Sequence, residues 1–458
     1  MAHREHDHIG KKLIFNTFNH KATETIPWVP FAGAHAGKLK GYSGKEILSD
    51  VDKLFECLLE VNKKYLPDGQ PILFDLQIEA EILGCDLKWH DKGPPSVNSH
   101  PLMNNDNIPD YIPTKKDGRI PFTLQIMKKM VESVGNRTAL FGLTCGPLTL
   151  AAHLRGTKFF IDLLRNVDYA KRLLDYTKNV NIQMVKYYAE AGMDIIASVD
   201  PVVSQISPKI FEKYLVGIFT EIFKEIKRHD KFSSFFVCGD ASNNLELMCK
   251  TEPESIFVDE NIDMEYAHSI LSNYNVILGG NIPLTTILLY GTQQDNMKYV
   301  VDLIDNIGKE DLIIAPGCDM PYDIPIDNVV GAVQAIREPE LVKKALKQYE
   351  KEDLTIDVKL PDYNNLDKPL VEVYTLDSDI CPACGYMKEA GQMAKNSLKD
   401  SIDFREYKIT TPENIAKMKS LNLKHIPCLL INGRVVYSSI IPDNDELVKI
   451  LKKKIEED

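Results

Sequence analysis

The 458-residue sequence has no apolar run of the roughly 18–20 residues that cross a bilayer, so it predicts no membrane span. Its first residues, MAHREHDHIGKK, lack the apolar stretch of a secretory signal. They read as a flexible lead-in over 1–10, with His3, His6 and His8 solvated. Positive charge is in the minority: 54 Lys and Arg stand against 66 Asp and Glu, a net charge of −12. Nucleic acid is therefore excluded as the main partner, because phosphate binding needs a basic footprint. The nine cysteines are odd in number and too scattered for a disulfide framework. These absences together place the chain in the cytoplasm, where positioned thiols serve metal binding or redox chemistry. No apolar run is followed by a glycine-rich dinucleotide or P-loop fingerprint.

Short apolar runs alternate with helical patterns from about Lys11 to Ile336. The runs are WVPF (28–31), PILFD (71–75), ALFGL (139–143), DIIASVD (194–200), SFFVC (234–238), SIFVD (255–259), NVILGG (275–280) and DLIIAP (311–316). Between most of them, apolar residues recur every three to four positions, as in SPKIFEKYLVGIFTEIFKEIKRH. Eight strands alternating with helices predict a (β/α)8 TIM barrel over 11–348, with a doubly wound open sheet as the alternative. The Pro-, Asn- and Asp-rich stretch 82–120 is too long for a barrel turn and reads as an excursion over the mouth. A charged, turn-rich segment at 349–368 reads as a linker. Beyond it, residues 369–458 follow the order β-α-β-α-β-β-α, a small second α/β domain.

Within that second domain, Cys381-Pro382-Ala383-Cys384 falls between a strand and a helix. The helix dipole favours a thiolate at the first cysteine, and the spacing lets the second thiol reach it. A zinc knuckle is the alternative, though no second CxxC exists to complete one. The domain resembles the thioredoxin/glutaredoxin family through Cys381, Cys384 and Pro427 in HIPCLLING. That resemblance implies Cys381 as nucleophile, Cys384 as resolving thiol, and a cis Pro427 lying against them at a substrate-binding position. Ile426 stands where the family usually has Thr or Val, and the double glycine of glutaredoxins is missing near SSIIPDNDEL.

Two further cysteines fall at expected strand ends: Cys238 closes the fifth run and Cys318 follows the eighth. In a barrel such positions face the active-site mouth, so packing, a shared metal and redox chemistry all remain open readings. Around them, VPFAGAHAGKLKGY, FDLQIEAEILGCDLKW, FGLTCGPLTLAAHLRGTKFF, VDPVVSQISPKIFEKYL, GGNIPLTTILLYGT and APGCDMPYDIPIDNVVGAVQAIRE resemble the uroporphyrinogen decarboxylase superfamily. The likeness is to its methylcobalamin-dependent methyltransferase branch. It implies transfer of a methyl group between a cobalamin on a partner corrinoid protein and a thiol or other small acceptor. The first block has no arginine to hold the arms of a porphyrinogen, which points away from decarboxylation.

The thiol-methylating branch binds zinc through His-x-Cys and a later cysteine. Cys238 and Cys318 match the cysteines, but Phe236 occupies the histidine position. Asp259, or less readily Asp240, would have to complete the set with zinc as cofactor. The resemblance puts Asp75 at a substrate-facing position; Asp200 ends a strand, and both are expected to be catalytic. His35 is a candidate substrate-binding residue, against a solvated loop role, while Glu79 and Glu81 read as helix-surface residues. The alternatives are a metal-free methyltransferase with a tetrahydrofolate acceptor, or a redox protein whose barrel presents a thiol/disulfide substrate to the CxxC.

Overall fold

The computed structural model describes residues 9–350 and 356–457, so the histidines at 3, 6 and 8 and part of the linker lie outside the described residues. Seven parallel strands form one curled sheet in chain order: β1 (Gly69–Pro71), β2 (Ala139–Cys145), β3 (Ile195–Val199), β4 (Phe232–Val237), β5 (Ser255–Val258), β6 (Ile277–Ile282) and β7 (Leu312–Pro316). Every residue of β2, ALFGLTC, is buried, as expected for a parallel strand with helices outside and a core inside.

The eighth place is filled by the segment at Trp28. Ile314 donates to the Pro27 carbonyl at 2.9 Å and Val29 to the Ile314 carbonyl at 3.0 Å. On the other side Asp68 and Gly69 donate to the Trp28 carbonyl at 3.0 and 3.2 Å. The ring of hydrogen bonds therefore closes. WVPF was expected to be a full strand, but it makes only a bridge at Trp28. Pro27 and Pro30 flank it and have no N–H to give. The second expected strand also moves. It ends at Pro71, and the Asp75 carboxylate accepts from the Gln77 amide at 3.0 Å, turning the chain where PILFD was expected to continue.

The outer helices follow the apolar spacing. Val216–Arg228 buries Phe219, Ile222, Phe223 and Ile226, one face of a helix. Gln293–Ile307 starts on a reciprocal Thr292–Asp295 capping box. The excursion carries a short hairpin, Leu87–Lys88 with Ser96–Val97, before the next long helix begins at Ile120. Among the described residues no helix is long and apolar enough to cross a membrane.

Residues 370–457 form a second sheet in the order β9-β8-β10-β11, with β8 (Leu370–Thr375), β9 (Asp403–Lys408), β10 (Cys428–Ile431) and β11 (Arg434–Ser438). β8 runs parallel to β9 and antiparallel to β10. Three helices complete it: Pro382–Leu398, Pro412–Ser420 and Asn444–Glu457. The first packs on the barrel. Its Tyr386 is buried, with ring centroids 6.4 Å from His100, 6.4 Å from His153 and 5.6 Å from Phe160. The Tyr386 hydroxyl and His153 Nδ1 are hydrogen-bonded at 3.1 Å.

At the top of β2, Gly146 precedes the helix Pro147–Arg155, and a Cβ there would collide with the Asp200 side chain. Gly146→Ala is expected to lower the unfolding free energy by about 1–3 kcal/mol through overpacking. Urea denaturation checks this: the midpoint should fall while the slope stays unchanged.

Candidate functional site

A cavity of about 80 Å³ lies between the C-terminal ends of the barrel strands and the second domain. The barrel contributes Cys238, Asp259, Glu260, Cys318 and Asp319, and the second domain contributes Cys381, Cys384, Ile426 and Pro427. Pro94 of the excursion also lines it, and Gly93 beside it has no room for a side chain against Ile380.

Cys238 follows the last residue of β4, and Gly239 takes φ +93, a left-handed turn that glycine tolerates. Cys318 lies two residues past β7. The two sulfurs are joined as a disulfide with Cα atoms 6.0 Å apart, across 80 residues of sequence. The strand-end cysteines thus meet at the mouth. Phe236 is buried among Phe31, Phe74 and Phe257, with ring centroids 4.7, 5.8 and 5.8 Å away. An aromatic floor stands where the resemblance would put a histidine ligand.

The set Cys238, Cys318 and Asp259 does not fit zinc as arranged here. The sulfurs are bonded to each other, so neither is a thiolate. The Asp259 carboxylate accepts from the Gly239 amide, from the Asn261 amide at 2.9 Å and from the Asn261 side chain at 3.1 and 3.2 Å. No cluster of three or more ligating His, Cys, Asp or Glu side chains exists among the described residues. Asp240 accepts from Ser242 Oγ at 2.6 Å and faces His425 of the second domain at 3.3 Å.

Burial pushes the Asp259 carboxyl up to about 6. Glu260, raised first by burial and then by the Asp259 charge, goes up to about 8. Glu260 Oε2 and Asp319 Oδ1 are buried atoms without a hydrogen-bond partner in the structure. Burial also holds the Asp319 carboxyl well above its ordinary range. Glu260 and Asp319, both held up by burial, therefore flank the disulfide beside Asp259. Sequence reasoning missed Glu260 and Asp319; their one available signal was adjacency to Asp259 and Cys318.

The other expected site residues lie elsewhere. Asp75 is buried, paired with Arg119 and turned to the Gln77 amide, and does not line the cavity. Asp200 accepts from the Leu148 and Thr149 amides at 2.9 and 3.0 Å and from Thr149 Oγ1 at 2.6 Å. It caps the helix Pro147–Arg155, while burial raises its pKa to about 7. His35 is fully buried, not a solvated loop residue. It bonds the Tyr322 carbonyl at 3.0 Å and Tyr65 Oη at 2.7 Å, and desolvation lowers its pKa to about 4, keeping it neutral. Glu79, read as surface, is buried and accepts from the Cys145 amide at 3.2 Å.

In the second domain, Cys381 is the partly exposed N-cap of the 17-residue helix Pro382–Leu398, with Pro382 in its first turn. Cys384 is buried, accepts from the Leu376 amide at 3.3 Å, and burial holds its thiol well above the ordinary range. The Ile426–Pro427 peptide is cis, and Pro427 lines the same cavity.

Residues 10–339 match the model of the uroporphyrinogen decarboxylase (URO-D) family, well over half of the chain. The chain belongs to that family. A methylcobamide:CoM methyltransferase, MtbA, of Methanosarcina mazei is 30% identical over 342 residues, 72% of this chain and 98% of the relative. The MtbA of Methanosarcina acetivorans is 29% identical over the same shares. Uroporphyrinogen decarboxylase of Nostoc punctiforme is 22% identical over 63% of this chain and 82% of its own length. A solved methyltransferase from Methanosarcina mazei superposes with TM-score 0.66 at 22% identity, covering 72% of this chain and 99% of that one. The likeness shows a common fold.

Two measurements check the site. Added zinc should stay exchangeable to a chromogenic chelator in the oxidised protein; stoichiometric retention would mean the two sulfurs are free. Glu260 also sets a pH dependence. A carboxyl raised in the fold binds a proton that the unfolded chain releases, so its stabilisation is complete below the ordinary 4.5 and is lost as pH climbs through about 8. Glu260→Gln should flatten that decline in denaturation midpoints, leaving the shallower contribution of Asp259, with which it titrates as a pair.

Proposed function

We propose that this chain is a corrinoid-dependent methyltransferase moving a methyl group between a cobamide on a separate corrinoid protein and a small thiol at the barrel mouth. The observation that carries this reading is the match to methylcobamide:CoM methyltransferases over nearly their whole length, on a barrel whose mouth holds both strand-end cysteines. The methylcobamide substrate supplies an electrophilic methyl group. The acceptor must meet it as a thiolate, and a free thiol with a pKa of about 8.5 is mostly protonated at neutral pH. The Asp259–Glu260 pair, both raised by burial above the ordinary carboxyl range, is placed at the mouth to take that proton. The aromatic floor of Phe74 and Phe236 excludes water beneath the reacting sulfur. Zinc plays no step in this scheme, because the residues do not offer it a ligand set as they stand.

The second domain reads as thioredoxin-like, on its CxxC at a helix N-terminus, its cis Pro427 and its sheet order. In the docked arrangement the space of about 80 Å³ is far below the roughly 300–1,000 Å³ of ordinary small-molecule sites. Both substrates therefore require the second domain to move off the mouth.

Reduced protein mixed with methylcobalamin and a panel of small thiols should bleach the methyl–cobalt absorbance, with tetrahydrofolate as the competing acceptor. Glu260→Gln is expected to slow transfer by about 10²-fold or more, the range of a lost general base. Transfer to tetrahydrofolate alone would replace the thiol reading with the pterin one, and no transfer to any acceptor would overturn both.

A further inference from the structure

All four positioned sulfurs open onto one space. The disulfide Cys238–Cys318 and the thiols Cys381 and Cys384 line the same cavity, whose volume of about 80 Å³ is far below that of ordinary small-molecule sites. What the CxxC faces in this structure is the barrel's own disulfide.

The docking is directed at one strand end. Gln205 Nε2 donates to the carbonyl of Ala383, the residue between Pro382 and Cys384, at 2.8 Å. Asn261 Oδ1 accepts from the Ile426 amide, just before Pro427, at 3.3 Å. Gln205 lies on the turn after β3 and Asn261 follows β5, while β4, ending beside Cys238, runs between those two strands. The barrel thus grips the two segments that frame the CxxC thiols, one on each side of Cys238. The Tyr386–His153 bond anchors the same helix one turn further along.

We propose that the C-terminal domain is an intramolecular reductase of the barrel disulfide. Cys381, as a thiolate, attacks the Cys238 sulfur. The Cys381–Cys238 bond forms, the Cys238–Cys318 bond breaks, and Cys318 leaves as a thiolate that takes up the proton Cys381 released. Cys384 then loses its proton and attacks the Cys381 sulfur. The Cys381–Cys384 bond forms, the mixed disulfide breaks, and Cys238 leaves as a thiolate that receives that proton. The barrel pair gains two electrons and two protons, and the C-terminal pair gives up the same. An external dithiol resets Cys381–Cys384 once the domain has swung into solvent. This activity goes beyond methyl transfer and does not depend on it.

The trapping variant is full-length Cys384→Ser, oxidised at Cys238–Cys318, acid-quenched, alkylated and digested without reductant. Mass spectrometry should find the Cys381 peptide joined to the Cys238 peptide, in a fraction that does not change with protein concentration, and no such link in Cys381→Ser. A Cys238–Cys318 peptide left intact beside alkylated Cys381 would overturn the proposal, as would a link that grows with concentration. In the unsubstituted chain, one equivalent of a small dithiol should reduce Cys238–Cys318 at least about tenfold faster than in Cys381→Ser, because a tethered thiol acts at roughly millimolar effective concentration. Equal rates would overturn it. Neither readout involves a methyl donor, so this proposal and the methyltransferase reading fail separately.

Discussion

Gln205 and Asn261 reach up from the barrel to the backbone of the second domain, and these two hydrogen bonds decide what the mouth contains. Each is worth about 0.5–1.5 kcal/mol net. Burying the Tyr386 ring adds about 1.5–3 kcal/mol, in the range of other large side chains. The rim ion pairs add less: Arg165 pairs with Asp443 at 3.2 Å and Lys88 with Asp379 at 3.7 Å, and both cations are exposed. Together these contacts seat the second domain on the mouth.

The electrostatics of the cavity follow from the same closure. Asp259, Glu260 and Asp319 are cut off from water and hold their protons above the ordinary carboxyl range. Their raised proton affinity depends on that enclosure. The aromatic floor below, built on Phe31, Phe236 and Phe257, belongs to the barrel core.

Much of the fold was legible in the sequence because it rests on periodicity. The near-continuous apolar runs of β2 to β7 are buried on both faces, and the three-to-four spacing between them matches helices packed outside. The two strands that shifted are those interrupted by proline or by an Asp-led turn, where backbone donors leave the ladder. His35 and Glu79 were misread as exposed, and the enclosure of Asp200 was not legible, for a related reason. Local pattern does not show which polar side chain will be enclosed, and each is enclosed by residues far along the chain: Tyr322 for His35, Cys145 for Glu79 and Thr149 for Asp200.

The sequence by itself determined a parallel barrel, a second α/β unit, a helix-capping CxxC and two cysteines at strand ends, because each is written within a few consecutive residues. Only the tertiary structure decided that Cys238 and Cys318 bond each other, that Asp259 turns to backbone amides, and that the CxxC closes over them. The disulfide and the docking depend on side chains separated by 80 residues or more and on one domain seated on another. Neither short-range propensity nor spacing carries that information.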